Sequence, residues 1–305
     1  MKIVVAGGTG FAGCPVVRRL AQDGHDLLVL SRTLPRSEAS ASIRFALWDA
    51  KTPGPWVACL EGAGAVVNLT GEPIAARRWT ALQKQKILSS RVDSTRALVR
   101  AIGQLRAKPP LLINASGLGY YGDTGGVPVT ESQGRGSGFL ADVCGAWEQE
   151  ALEARATGVR VVLLRLGMVL ARDGGALRKM IPPFVFFAGG PLGSGRQWMS
   201  WIERSEMAGV IRFVIERAEL EGPVNVCAPG AVTMAQFSAV LGKVMDRPSW
   251  LKVPESALRL LLGEMATVLL TGQRAVPEKL ERAGYRFRHP ELEPALRAML
   301  CEGAS

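Results

Sequence analysis

The stretch MKIVVAGGTGFAGCPVV, Met1 to Val17, decides the fold. One lysine and five apolar residues precede the first glycine and pattern as a buried strand. Gly7, Gly10 and Gly13 then recur at intervals of three, and Pro15 falls in the first turn of the following helix, where its missing N–H is no loss. Strand, glycine turn and helix in that order make an anion site. Glycine lets the backbone approach a pyrophosphate closely, and the free N–H groups at the helix start meet its charge. Thr9, Phe11 and Ala12 lie within the same turn and join the candidate dinucleotide-binding residues.

Working outward, apolar runs alternate with helical patterns: DLLVLSR, RFAL, AVVNLTG, a long helix from Trp79-Thr80, LLINASG, a further helix and VRVVLLRLG. Continuous rather than alternating hydrophobicity in these runs predicts parallel strands covered on both faces. The fold class is therefore α/β, a Rossmann-like doubly wound parallel sheet with a smaller C-terminal substrate lobe. We place the nucleotide-binding domain at residues 1–170 and the second lobe at 171–305, with 224–232 returning to the main sheet. In the long helix Leu88, Val92, Thr95, Val99 and Ile102 recur at helical spacing and mark one buried face, open to sheet packing or to a dimer seam. Monomer and homodimer both fit.

The second strand would end beside the adenosine ribose, where an acidic residue favours NAD. Ser31 and Arg32 stand there instead, with Arg36 nearby, and a hydroxyl with guanidinium groups suits a 2′-phosphate. The expected cofactor is NADP(H). Trp48-Asp49 after the third strand would border the adenine.

Bulk properties exclude several classes. The net charge is +10, yet the 37 basic residues are dispersed with no Lys/Arg tract, so nucleic acid is not an expected partner. Five scattered cysteines and two histidines, His25 and His289, form no metal-ligand spacing. Reduced thiols, no signal-peptide core and no uninterrupted apolar run of about 18 residues give a cytoplasmic expectation without a membrane span.

The opening resembles extended members of the short-chain dehydrogenase/reductase superfamily. Longer segments narrow the resemblance to an epimerase-family subgroup of undefined activity with a C-terminal domain of unknown function: NLTGEPIAARRWT, SRVDSTRALVRAI, GYYGDTG, LRLGMVL, GGPLGSGRQWMSWI and QRAVPEKLERAGYRFRHPEL. These cover almost the whole chain. The resemblance implies that Leu69, Thr70 and Gly71 run alongside the cofactor, that Arg91 stands where relatives present an asparagine, and that Lys86 reaches the same region. Met168, just past the sixth strand, is placed at the nicotinamide end.

Relatives of this superfamily use Ser/Thr, Tyr and Lys, with tyrosine as general acid/base and lysine lowering its pKa and holding ribose. Aligning WE148 with the relatives' helix glutamate puts Leu140 at the tyrosine position and Cys144 at the lysine position. Neither side chain substitutes. The candidate catalytic residues are therefore Ser116, one residue from the expected hydroxyl position at Gly117, and Tyr121. In GSGRQWMSWI, Arg196 could clamp an anionic substrate and Trp198 or Trp201 stack a ring, or the tryptophans could be buried at the lobe boundary. Two functions fit: an NADP(H)-dependent oxidoreductase on a small carbonyl or sugar-like substrate, and a non-catalytic NADPH-dependent sensor.

Overall fold

The computed structural model describes residues 1–34 and 42–301. Seven apolar runs form strands: β1 (Lys2–Ala6), β2 (Asp26–Ser31), β3 (Ile43–Leu47), β4 (Ala65–Asn68), β5 (Leu111–Gly117), β6 (Arg160–Leu166) and β7 (Gly222–Val226). They lie in one sheet in the order β7-β6-β5-β4-β1-β2-β3, every pair parallel. The order reverses on either side of β1, which opens a crevice at the carboxyl ends of β1 and β4. The glycine turn and NLTG, both expected to line the ligand path, emerge there.

Helices cover both faces. On one, α1 (Gly13–Gln22) and α5 (Arg204–Glu216) bury Val16, Leu20, Met207, Ile211 and Val214 against Ile3, Val5 and Val29. On the other, α2 (Ala81–Gln104) and α3 (Phe139–Leu152) bury Leu98, Ala101, Ile102 and Ala151 against Val4, Val66 and Leu112. Thr80 caps α2 by accepting the Gln83 N–H, close to the start read from sequence.

The buried face of α2 is rotated from the expected one. Ile87, Ser94, Thr95, Leu98, Ala101 and Ile102 are buried, whereas Leu88 is 37% exposed. Thr95 and Ile102 are buried as expected, but hydrophobicity misses Ser94, which is fully buried with its hydroxyl meeting that of Thr70.

The longer of the other helices, α4 (Gly175–Val185), α6 (Met234–Met245), α7 (Glu255–Leu262) and α8 (Leu292–Leu300), belong to the C-terminal half. Leu177, Phe184, Trp201, Phe237, Leu241 and Leu296 form its core. A single cut at residue 170 does not separate two bodies, since α5, β7 and Leu280 all complete the core of the main sheet. The returning strand lies at Gly222–Val226, and its carboxyl end follows that of β6. Among the described residues no helix is long and apolar enough to cross a membrane.

Candidate functional site

The turn after β1 depends on two glycines. Gly7 holds φ +79°, and a Cβ there would stand 2.8 Å from the carbonyl of Leu69, while a Cβ on Gly13 would collide with the Gly7 carbonyl. The Gly10 N–H closes the turn on the Gly7 oxygen at 3.0 Å, leaving Thr9, Gly10 and Phe11 exposed at the mouth of the crevice. Ala12 is half-buried at the start of α1. The Phe11 ring packs beside Gly174 and Gly175 with the Arg204 guanidinium 4.9 Å from its centroid.

Beyond β2 and β3 lies a cavity of about 510 Å³ lined by Arg32, Leu47, Trp48, Asp49, Thr52, Gly54, Pro55 and Trp56. Trp48 and Trp56 meet edge to face at 5.3 Å, and the Trp56 N–H donates to the Thr52 carbonyl. Asp49 accepts from the Thr52 hydroxyl and from the Thr52 and Lys51 N–H groups, which hold its pKa down at about 2. Arg32 is exposed on this wall. The Ser31 hydroxyl is buried and donates to the Thr33 carbonyl at 2.7 Å, so it shapes the turn. Arg36 lies outside the described residues.

A buried polar cluster fixes the ends of β4 and β5. Asn68 donates to Thr95 (2.9 Å) and Asn114 (2.7 Å), and the Trp147 indole also donates to Thr95. The Thr70 hydroxyl bonds Asn68 at 2.6 Å and meets Ser94 at 2.7 Å. Leu69 continues the β4 line through its N–H to Ala6, and Gly71 emerges exposed beneath the Arg91 guanidinium. Lys86 is exposed one turn nearer the start of α2.

Beside this cluster sits a second one built on charge. Arg165 in β6 forms a two-pronged ion pair with Glu148 in α3 at 2.8 and 2.9 Å, both side chains almost fully buried. Ser116 donates to Glu148 at 2.7 Å, Arg165 donates to the Tyr121 hydroxyl at 2.9 Å, and Tyr121 donates to Asn225 at 2.7 Å. Burial opposes the Arg165 charge, but Glu148 more than offsets it and keeps its pKa above the ordinary range. Burial pushes Tyr121 up to about 12, against the opposing pull of Arg165.

The two candidate proton donors are therefore brought together, but each O–H is already donated inside the protein. Leu140 lies against Gly119, whose Cβ would stand 3.1 Å from the leucine Cβ. Cys144 is buried and its thiol is pushed up to about 11, so it carries no charge near neutral pH.

On the other wall, Met168 opens a short strand, Met168–Ala171, paired with Trp201–Glu203, and donates its N–H to Ser200. Trp201 is fully buried with its indole N–H on the Gly230 carbonyl, which makes it a core residue. Trp198 is half-buried, with Arg274 4.4 Å from its ring and Gly126 beside its indole nitrogen. Arg196 is exposed in the preceding turn.

The model of the family described as NAD dependent epimerase/dehydratase matches residues 3–227, and a domain of unknown function (DUF1731) matches residues 253–299. The chain belongs to the NAD dependent epimerase/dehydratase family. The chloroplastic epimerase family protein SDR39U1 homolog of Arabidopsis thaliana is 40% identical, covering 98% of this chain and 87% of the relative. Epimerase family protein YfhF of Bacillus subtilis is 39% identical over 99% of each chain. A crystal structure of human epimerase family protein SDR39U1 with NADPH is 30% identical, with TM-score 0.87, covering 98% of this chain and 99% of that one.

Within this epimerase/dehydratase frame, sequence reading missed the partnership of Glu148 with Arg165. A signal existed: Arg165 interrupts an otherwise apolar buried strand, VVLLRL, and a buried arginine requires an acidic partner. Glu131 was also missed. It is buried, accepts the N–H groups of Asn225 and Lys279 through one oxygen, and leaves the other unpaired.

Proposed function

We propose that this chain binds NADP(H) along the crevice, with the adenine in the cavity between Arg32 and Trp56 and the 2′-phosphate on Arg32. The carrying observation is that cavity. An exposed guanidinium borders two tryptophans at the end of β2, where a dinucleotide lying on the Gly7–Gly13 turn would present its adenosine. The human relative solved with NADPH supports the same choice. The site fits the group in a second respect, since a Cβ at Gly7 or Gly13 would strike the backbone of Leu69 or Gly7, so only glycine permits the tight turn on which a pyrophosphate would lie.

When bound, NADP(H) supplies hydride chemistry. This chain's own residues would bind and orient it: the turn at the pyrophosphate, Arg32 at the phosphate, Asp49 at the adenine edge. An oxidoreductase would then need a proton donor other than Ser116 or Tyr121, because giving up either proton breaks a bond in the buried Arg165 cluster. The second reading, a sensor without turnover, is favoured by that same commitment and by Leu140 packed on Gly119.

Thermal-shift titration with NADPH and NADH tests the binding claim. NADPH should stabilise the chain more strongly, and Arg32→Asp should remove the difference by costing roughly 1.5–3 kcal/mol of charge-assisted bonding to the phosphate. Equal stabilisation of the unaltered chain by both nucleotides would refute it. Loss of the 340 nm band with a carbonyl substrate would separate the enzyme from the sensor.

A further inference from the structure

A further cavity, of about 400 Å³, opens between α1 and α5. Arg18 and Arg19 from α1, Arg204 from the start of α5 and Arg288 from the C-terminal segment line it, against a single acid, Asp173. None of these five residues was assigned to the dinucleotide path, and none of Gly7 to Gly13 lines the cavity. Four cations have gathered where the cofactor has no use for them.

Two of the four charges are answered. Arg204 pairs with Asp173 at 2.8 Å, and Arg19 shares Asp23 with Arg212 at 3.1 and 3.4 Å. Arg18 and Arg288 are exposed, and neither guanidinium has an ion-pair or hydrogen-bond partner among the described residues. Glu206 lies next to Arg288 in the fold, but its carboxylate accepts from the Tyr285 hydroxyl and from the Arg288 and His289 N–H groups. It anchors the backbone that carries Arg288.

Like charges around one hollow focus a positive potential that draws in a counter-ion. Two unanswered guanidinium groups match two negative charges, and the planar fork of arginine fits phosphate oxygens bidentately. The cavity is roomier than a bare phosphate ion requires and falls in the range of small-molecule sites, about 300–1,000 Å³. Arg204 also stands 4.9 Å from the Phe11 ring centroid, so the wall of this cavity touches the glycine turn from outside.

We infer that the groove between α1 and α5 is an anion site separate from the dinucleotide path. It takes the doubly charged phosphate group of a phosphorylated small molecule, with Arg18 and Arg288 as its principal contacts.

Calorimetric titration of the full chain at low ionic strength, with inorganic phosphate and with glycerol 3-phosphate, tests this. Both should bind once per chain; absence of saturable binding would overturn the site, and exclusion of the ester would overturn its assignment to a phosphorylated small molecule. Arg18→Gln and Arg288→Gln should each weaken phosphate about tenfold, the lower end for hydrogen bonds to a charged group, and Arg106→Gln should leave it within about twofold. Arg106 is exposed and lies outside the cavity. Unchanged affinity in the first two variants, or equal weakening in all three, would overturn the assignment; the latter would reduce it to the general positive charge of the chain. Saturation with NADPH should leave phosphate binding in place. Its loss would make the cavity part of the nucleotide path and sink the claim of a separate site.

Discussion

Glu131 shows what one side chain contributes to the pH response of the molecule. Burial raises its pKa above the ordinary 4.5, against the two N–H groups and the Lys279 charge that favour the carboxylate. The folded chain therefore holds this proton more tightly than the unfolded chain, so its contribution to stability is greatest at low pH and declines as pH rises through the window above 4.5. Glu131→Gln keeps the accepting oxygen and removes that titration. As pH rises from 4.5 the melting temperature of the unaltered chain should fall relative to the variant. Parallel profiles would show that the carboxyl is not protonated in the fold. Residue identity alone did not disclose this behaviour, because the partners Asn225 and Lys279 are far from Glu131 in sequence, and the pairing of Pro128–Val129 with Arg274–Ala275 helps bring them together.

Between elements, the Arg165–Glu148 pair ties β6 to α3 and, through Ser116, Tyr121 and Asn225, to β5 and β7. Removing one partner leaves a charge buried without compensation, so Arg165→Met should cost about 3–5 kcal/mol in urea unfolding. Adding Glu148→Leu should return part of that loss, since two apolar groups need no pairing. A double variant as unstable as the sum of the two singles would exclude the coupling. The strands and the glycine turn were legible because each announces itself within a few adjacent residues. Glu148–Arg165 was not, because the partners sit on different elements and only packing joins them; the rotation of α2 was hidden likewise, Ser94 being buried with a hydroxyl partner that no hydrophobic pattern records. Among the candidate site residues, Gly7, Gly13 and Arg32 could be placed from spacing, whereas the commitment of Ser116 and Tyr121 required the tertiary contacts.

Across the whole molecule, the C-terminal segment is part of the main body. Leu280 is fully buried in the principal core, Tyr285 donates to Glu206, and Met265 packs with Trp79, Ile87 and Val143 beside α2 and α3. Each large apolar side chain contributes about 1.5–3 kcal/mol on burial, against a total stability of about 5–15 kcal/mol. A chain ending at residue 252 should therefore lose its near-UV circular dichroism and bind a hydrophobic dye. A cooperative melt at the temperature of the full chain would contradict this.

That late-arriving leucine also bears on synthesis. The first strand leaves the ribosome early, but the sheet gains β7 only after residue 226 and its core is sealed only when Leu280 has been made. Until those residues are made the nascent chain carries an open apolar face, the kind of surface through which incomplete chains associate.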